Sequence, residues 1–145
     1  LQPGSLAATF AGFDDRFGEG FRQRSQEAIR CRDVGAWLAC CSMTGAAAES
    51  VLLAVAVDKT ENEEAVLAAY RTAGGRQRVI NLIVGQLDLR IQASLRDFTG
   101  IISFWRDEAA HGQASVLSDA NAEEALRQLL HMCQWVDHEW DRLIV

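Results

Sequence analysis

Between Phe104 and Gly112 the chain reads FWRDEAAHG, placing an Arg, an Asp and a His close together at the end of a long apolar run. Residues four apart on a helix share a face, so Asp107 and His111 can touch. An Asp that accepts from one imidazole nitrogen fixes the tautomer and raises the basicity of the other. Arg106 lies about 140° around the helix from His111, given the helical repeat. The two cannot stack, but they can flank one groove, from which Ala109, Ala110 and Gly112 keep bulk away. Thr99 and Ser103 line the same side, two turns and one turn back. A guanidinium that clasps phosphate beside an imidazole that moves protons is the minimum equipment for cutting RNA through its 2′-OH, a route that requires neither metal nor cofactor. The plainer alternative makes Arg106 a helix-end ion pair with Asp107 or Glu108, and His111 a C-terminal cap favoured by the helix dipole.

The elements that must position these residues are helices. A single Pro, abundant Ala, Leu, Glu and Arg, and few β-branched runs between turn signals point to an all-α protein. Residues 1–20 mix Gly, Ser and Phe without a steady period and read as an irregular lead-in that packs in part through Phe10, Phe13 and Phe17. A first helix is predicted from near Phe21 to Arg32. Asp33 is a candidate cap for a central helix, apolar on almost every side, from Val34 to Lys59. Its small-residue patch GAAAES, Gly45 to Ser50, would admit another helix closely. Capping boxes are read at Thr60 to Glu63 and at Asn121 to Glu124, opening a short helix that ends at Gly74 and Gly75, and a final helix towards Leu143. Between them Ile80, Ile83, Leu87, Ile91, Leu95, Phe98, Ile102, Trp105 and Ala109 recur at spacings of three or four, one helical stripe with Gly85 and Gly100 as candidate breaks. A single bundle of about five helices with long antiparallel core helices, over residues 21–145, is expected, with a loop from Gly112 to Ala120.

Bulk properties narrow the function. The length suits one domain. A net charge of −6 and the lack of a Lys/Arg-rich tract exclude general coating of nucleic acid, and no DNA partner is predicted. A small basic cleft survives that argument, because it depends on the local field. Cys31, Cys40, Cys41 and Cys133 form neither a CxxC pair nor a zinc pattern, and read as free thiols of a cytoplasmic protein. The Val34 to Val57 stretch approaches bilayer length, but Ser42, Thr44, Glu49 and Ser50 interrupt it, so a buried core helix rather than a membrane partner is expected. The chain opens on Leu1 rather than Met, which suggests a trimmed or processed chain or a domain of something larger.

Other residues receive structural readings. Glu49, alone in an apolar helix, requires an Arg partner or a place at the rim. His131 and His138 lie two turns apart, too far to share an ion unaided, and Trp37, Trp105, Trp135 and Trp140 are core or interface anchors. Arg30, Arg32, Arg76 and Arg78 read as solvated helix-end charges.

In Arg106, Asp107, His111 and Gly112 the sequence resembles the HEPN family of helical bundles, whose signature is an Arg, a polar residue, a few further positions and a His, often followed by Gly. AAAESVLLA at Ala46 to Ala54 and the helix from Glu123 extend the resemblance over roughly the last two-thirds of the chain. It implies a homodimer in which two copies of the motif face one cleft, and for many members a metal-independent endoribonuclease of toxin or defence type, with an antitoxin or a larger protein as context. Other members are non-catalytic modules that bind a protein or nucleotide. Carried over by position, His111 would transfer protons, Arg106 would hold the scissile phosphate and Asp107 would orient them, with Thr99 and Ser103 lining the substrate groove. Asp107 stands where the family often has Asn, and its charge beside a phosphate is unfavourable unless a cation neutralises it.

Overall fold

A computed structural model describes residues 3–107 and 116–145, and every regular element in them is helical. The elements are α1 (Pro3–Ala11), α2 (Asp14–Phe17), α3 (Glu19–Asp33), α4 (Trp37–Thr60), α5 (Glu63–Tyr70), α6 (Gly75–Val84), α7 (Leu89–Ile101), a π-helical segment (Ile102–Asp107), α8 (Asp119–His138) and α9 (Trp140–Leu143). The all-α bundle expected from composition and periodicity is what the chain forms.

The centre is α4. Its composition and length would satisfy a membrane span, but α3, α8, the π segment, α6 and α5 all pack against it. It has no strongly polar face because it needs none: Cys40, Cys41, Ala47, Ala48, Val51, Leu52, Val55 and Ala56 are all buried. Its neighbours are one-sided. In α3 the buried positions are Phe21, Ser25, Ala28, Ile29 and Arg32, and in α8 they are Ala122, Ala125, Leu126, Leu129, Met132, Cys133 and Val136. Both sets recur at three and four, which lays one stripe of each helix on α4.

Several boundaries differ from the sequence reading. The first twenty residues are not irregular: α1 and α2 occupy most of them, with Phe10 and Phe17 buried. Phe10, Phe13, Phe17 and Phe21 are three or four apart, a helical stripe masked in the sequence by Gly12, Gly18 and Gly20. A turn at Gly12 and Phe13 separates α1 from α2, and Gly18, at φ +92, separates α2 from α3, whereas Gly20 lies inside α3. Thr60 does not open α5. It ends α4, donating to the Ala56 carbonyl at 2.8 Å, and Asn62 caps α5 by accepting from the Ala65 N–H at 3.0 Å. The second capping box is formed by Ser118 with Asn121, three positions before the predicted one. Asp33 is the last residue of α3, and α4 starts after Ala36 without a side-chain cap. The long stripe breaks at Gly85, after which Asp88 caps α7, whereas Gly100 sits within the last turn of α7. These breaks raise five predicted helices to nine α-helices among the described residues.

Candidate functional site

Glu49 is the one acid on the buried surface of α4, and its side chain is only 5% exposed. An unpaired carboxylate there would be costly. Three side chains from three other elements compensate it. Arg106, in the π segment, forms an ion pair with one carboxylate oxygen. Tyr70, the last residue of α5, donates its hydroxyl to the other. Arg76, in the first turn of α6, brings its Nε to 3.4 Å. The set closes on itself, because Arg106 Nη1 also donates to the Tyr70 hydroxyl at 3.1 Å. Burial holds the Tyr70 phenol above its ordinary pKa. It therefore keeps its proton at neutral pH and serves as donor to Glu49 and acceptor from Arg106 at once.

Two glycines allow the elements to meet. A Cβ on Gly45 would lie 2.8 Å from the Arg106 Cβ and 2.9 Å from its backbone N, so the predicted small-residue approach is made here, against the π segment. A Cβ on Gly75 would lie 1.9 Å from the Tyr70 carbonyl oxygen, so the link from α5 to α6 closes only without a side chain there. The π segment is anchored on its other side by Trp105, which is buried and donates from Nε1 to Gln128 at 2.8 Å. A π turn bonds i to i+5, a local departure from the α repeat of the kind often found at functional sites. Within it, Ser103 and Asp107 both face Arg76, accepting from Nη1 at 3.2 Å and Nη2 at 3.0 Å. Phe104, next to buried Trp105, is 58% exposed.

Arg106 opens on a cavity of about 810 Å³, lined also by Arg16, Arg24, Glu19, Asp58 and Glu63 over an apolar floor that includes Met43 and Leu53. Its side chain is 42% exposed, so it is oriented at one end and accessible at the other. Thr99 and Ser103 do not share that cavity. They line a second depression of about 580 Å³ with Arg76 and Arg96. Thr99 is buried and spends its hydroxyl proton on the Arg96 carbonyl at 2.8 Å. Asp107 lines neither space and is held by Arg76. His111 falls outside the described residues, as do Glu108, Ala109, Ala110 and Gly112.

The residues missed by sequence reasoning are Tyr70 and Arg76. Glu49's isolation in an apolar helix was a usable signal that an Arg must approach, and two do. Nothing local marks Tyr70, and Arg76 resembles any charge at a helix end. Arg76 is in fact half-buried and doubly paired, and Arg32 is buried against Asp33 and Glu123. Arg78 is exposed as predicted. In comparison with known proteins, the chain matches no family model, no curated sequence and no solved structure.

Proposed function

We propose that this chain is an HEPN-like, metal-independent endoribonuclease domain, cytoplasmic and homodimeric, with Arg106 as the phosphate clamp and His111 as the proton-transfer residue. The observation that carries the reading is the state of Arg106: its backbone is pressed against Gly45, its guanidinium is oriented by buried Glu49 and by Tyr70, and its remaining surface opens on a cavity. A guanidinium held in place before substrate arrives loses little entropy on clasping phosphate. The charge of Asp107 is answered by Arg76, which removes the principal electrostatic objection to an Asp beside that site.

In the reaction, His111 takes the proton of the ribose 2′-OH, whose oxygen attacks the adjacent phosphorus. The bond from phosphorus to the 5′-oxygen breaks, and that oxygen takes up the proton that His111 removed from the 2′-OH. The products are a 2′,3′-cyclic phosphate and a 5′-hydroxyl. Charge building on the non-bridging oxygens is met by Arg106.

A second reading, a non-catalytic interaction module of the same fold, is favoured by one feature: Glu19, Glu49, Asp58 and Glu63 share the cavity with its arginines. Incubation with mixed single-stranded RNA in a metal chelator separates the two. Wild type is expected to yield cyclic-phosphate ends and His111→Ala none, at unchanged helicity and melting temperature. Undiminished cleavage by a clean His111→Ala preparation would sink the assignment, and an inert wild type would leave the module.

A further inference from the structure

The second depression differs from the Arg106 cavity in charge. In a chain of net charge −6 its lining contains two arginines, Arg76 and Arg96, and no Asp or Glu. The two cations differ in role. Arg76 is fixed, held by Asp107 and Ser103 on one side and near Glu49 on the other. Arg96 is exposed and makes no ion pair among the described residues. Ser103 accepts from Arg76 through its oxygen and keeps its own hydrogen to donate. A fixed guanidinium, a free guanidinium and a hydroxyl donor around one open concavity match the oxygens of a phosphodiester. Arg76 also connects the spaces, since the same guanidinium that touches Ser103 here approaches Glu49 beneath Arg106.

We propose that this depression is a second phosphate subsite, taking an RNA backbone phosphate next along the strand from the one clasped by Arg106, with Arg96 as its principal affinity determinant. The inference rests on the ribonuclease reading and deepens it: the substrate is single-stranded RNA engaged at two phosphates rather than at the scissile one alone. Two-point engagement sets the direction in which the strand crosses the π segment.

The test is fluorescence anisotropy with a labelled, mixed-sequence 2′-O-methyl oligoribonucleotide, which cannot be cut because its 2′ oxygens are blocked. Wild type, Arg96→Ala and Arg90→Ala are compared across a salt series. Arg90 is exposed on the same helix and does not line the depression, so its removal reports the general effect of losing one positive charge. Arg96→Ala is expected to bind about tenfold more weakly than wild type at low salt. The slope of log affinity against log salt should fall by about 0.7, one phosphate contact on a single strand, while Arg90→Ala stays near wild type. Equal losses from Arg96→Ala and Arg90→Ala, with wild type binding the probe and cutting unmodified RNA, overturn the subsite and leave the ribonuclease reading intact. A wild type that neither binds the probe nor cuts RNA overturns both. Binding that depends on Arg96 without any cleavage supports the subsite and removes the catalysis.

Discussion

The aromatic cluster at the amino end and the Glu49 cluster both pack against the central bundle, and they are stabilised by opposite means. In the first, Phe17 meets Phe21 edge-on at 5.2 Å and Trp140 at 6.0 Å, and Phe10 meets Phe21 at 6.4 Å. Most of what such contacts contribute scales with the area removed from water, with a smaller preference for edge-on or offset rings. In the second, a buried carboxylate is acceptable only because a phenol and two guanidinia reach it from separate elements. A greasy cluster tolerates imprecision. A charge-compensated one requires that α4, α5, α6 and the π segment all arrive in register, and holding that register is a cost that stability alone does not explain. That difference is what the proposed function requires of the Glu49 cluster.

The contrast can be broken at several points. The largest effect is expected from Phe10→Ala, which empties a fully buried ring position that does not line the Arg106 cavity and should lower unfolding free energy by about 3 to 5 kcal/mol, read by urea titration. RNA binding by the fraction still folded should be unchanged, and a selective loss of binding would erase the distinction between the two clusters. Gly45→Ala pushes a methyl into the Arg106 backbone and should cost about 1 to 3 kcal/mol. Unlike Phe10→Ala, it should weaken RNA cleavage beyond what the lost stability accounts for, because it moves the proposed clamp itself. Glu49→Ala takes one partner from each guanidinium, leaving Arg76 on Asp107 and Ser103, and leaves the Tyr70 hydroxyl without its acceptor, for about 2 kcal/mol. If the carboxylate serves only to orient Arg106, kcat should fall more than KM rises. A near-isosteric Glu49→Gln that folds well yet does not cut would sharpen the point, since it keeps an oxygen acceptor in place and removes the charge that pairs with Arg106.

The smallest effect concerns the thiols. Burial raises the pKa of Cys40 to about 12 and that of Cys41 to about 11, and pushes the Cys133 thiol up further still. All three should resist iodoacetamide at neutral pH in the folded protein and react once it is denatured, because the thiolate is the nucleophile. Rapid labelling of Cys40 in native buffer would show that the α4 core opens far more readily than its packing implies.

Much of this organisation was legible before the fold was known. The apolar sides of α4, the stripe through Ile80, Ile91 and Trp105, the close approach at Gly45 and the need of Glu49 for an Arg are all properties of local spacing and polarity, which a chain displays regardless of its tertiary partners. Helix starts were less legible, because Ser118 and Asn121, like Thr60 and Asn62, offer competing caps a few positions apart, and packing chooses between them. The helices of the lead-in were hidden because Gly12 and Gly18 cut them short, while Gly20 lies inside a helix without breaking it.

The sequence by itself therefore determined the fold class, the central helix and the position of Arg106 near the end of the long stripe, since each follows from periodicity over a few turns. Only the tertiary structure decided which residues hold Arg106, that Thr99 and Ser103 face a different space from it, and that Arg76 rather than the nearest neighbour answers Asp107. Those contacts join positions 21, 31 and 36 apart. No local pattern encodes such distances, because they depend on where the turns at Gly75 and Gly85 send the helices that follow.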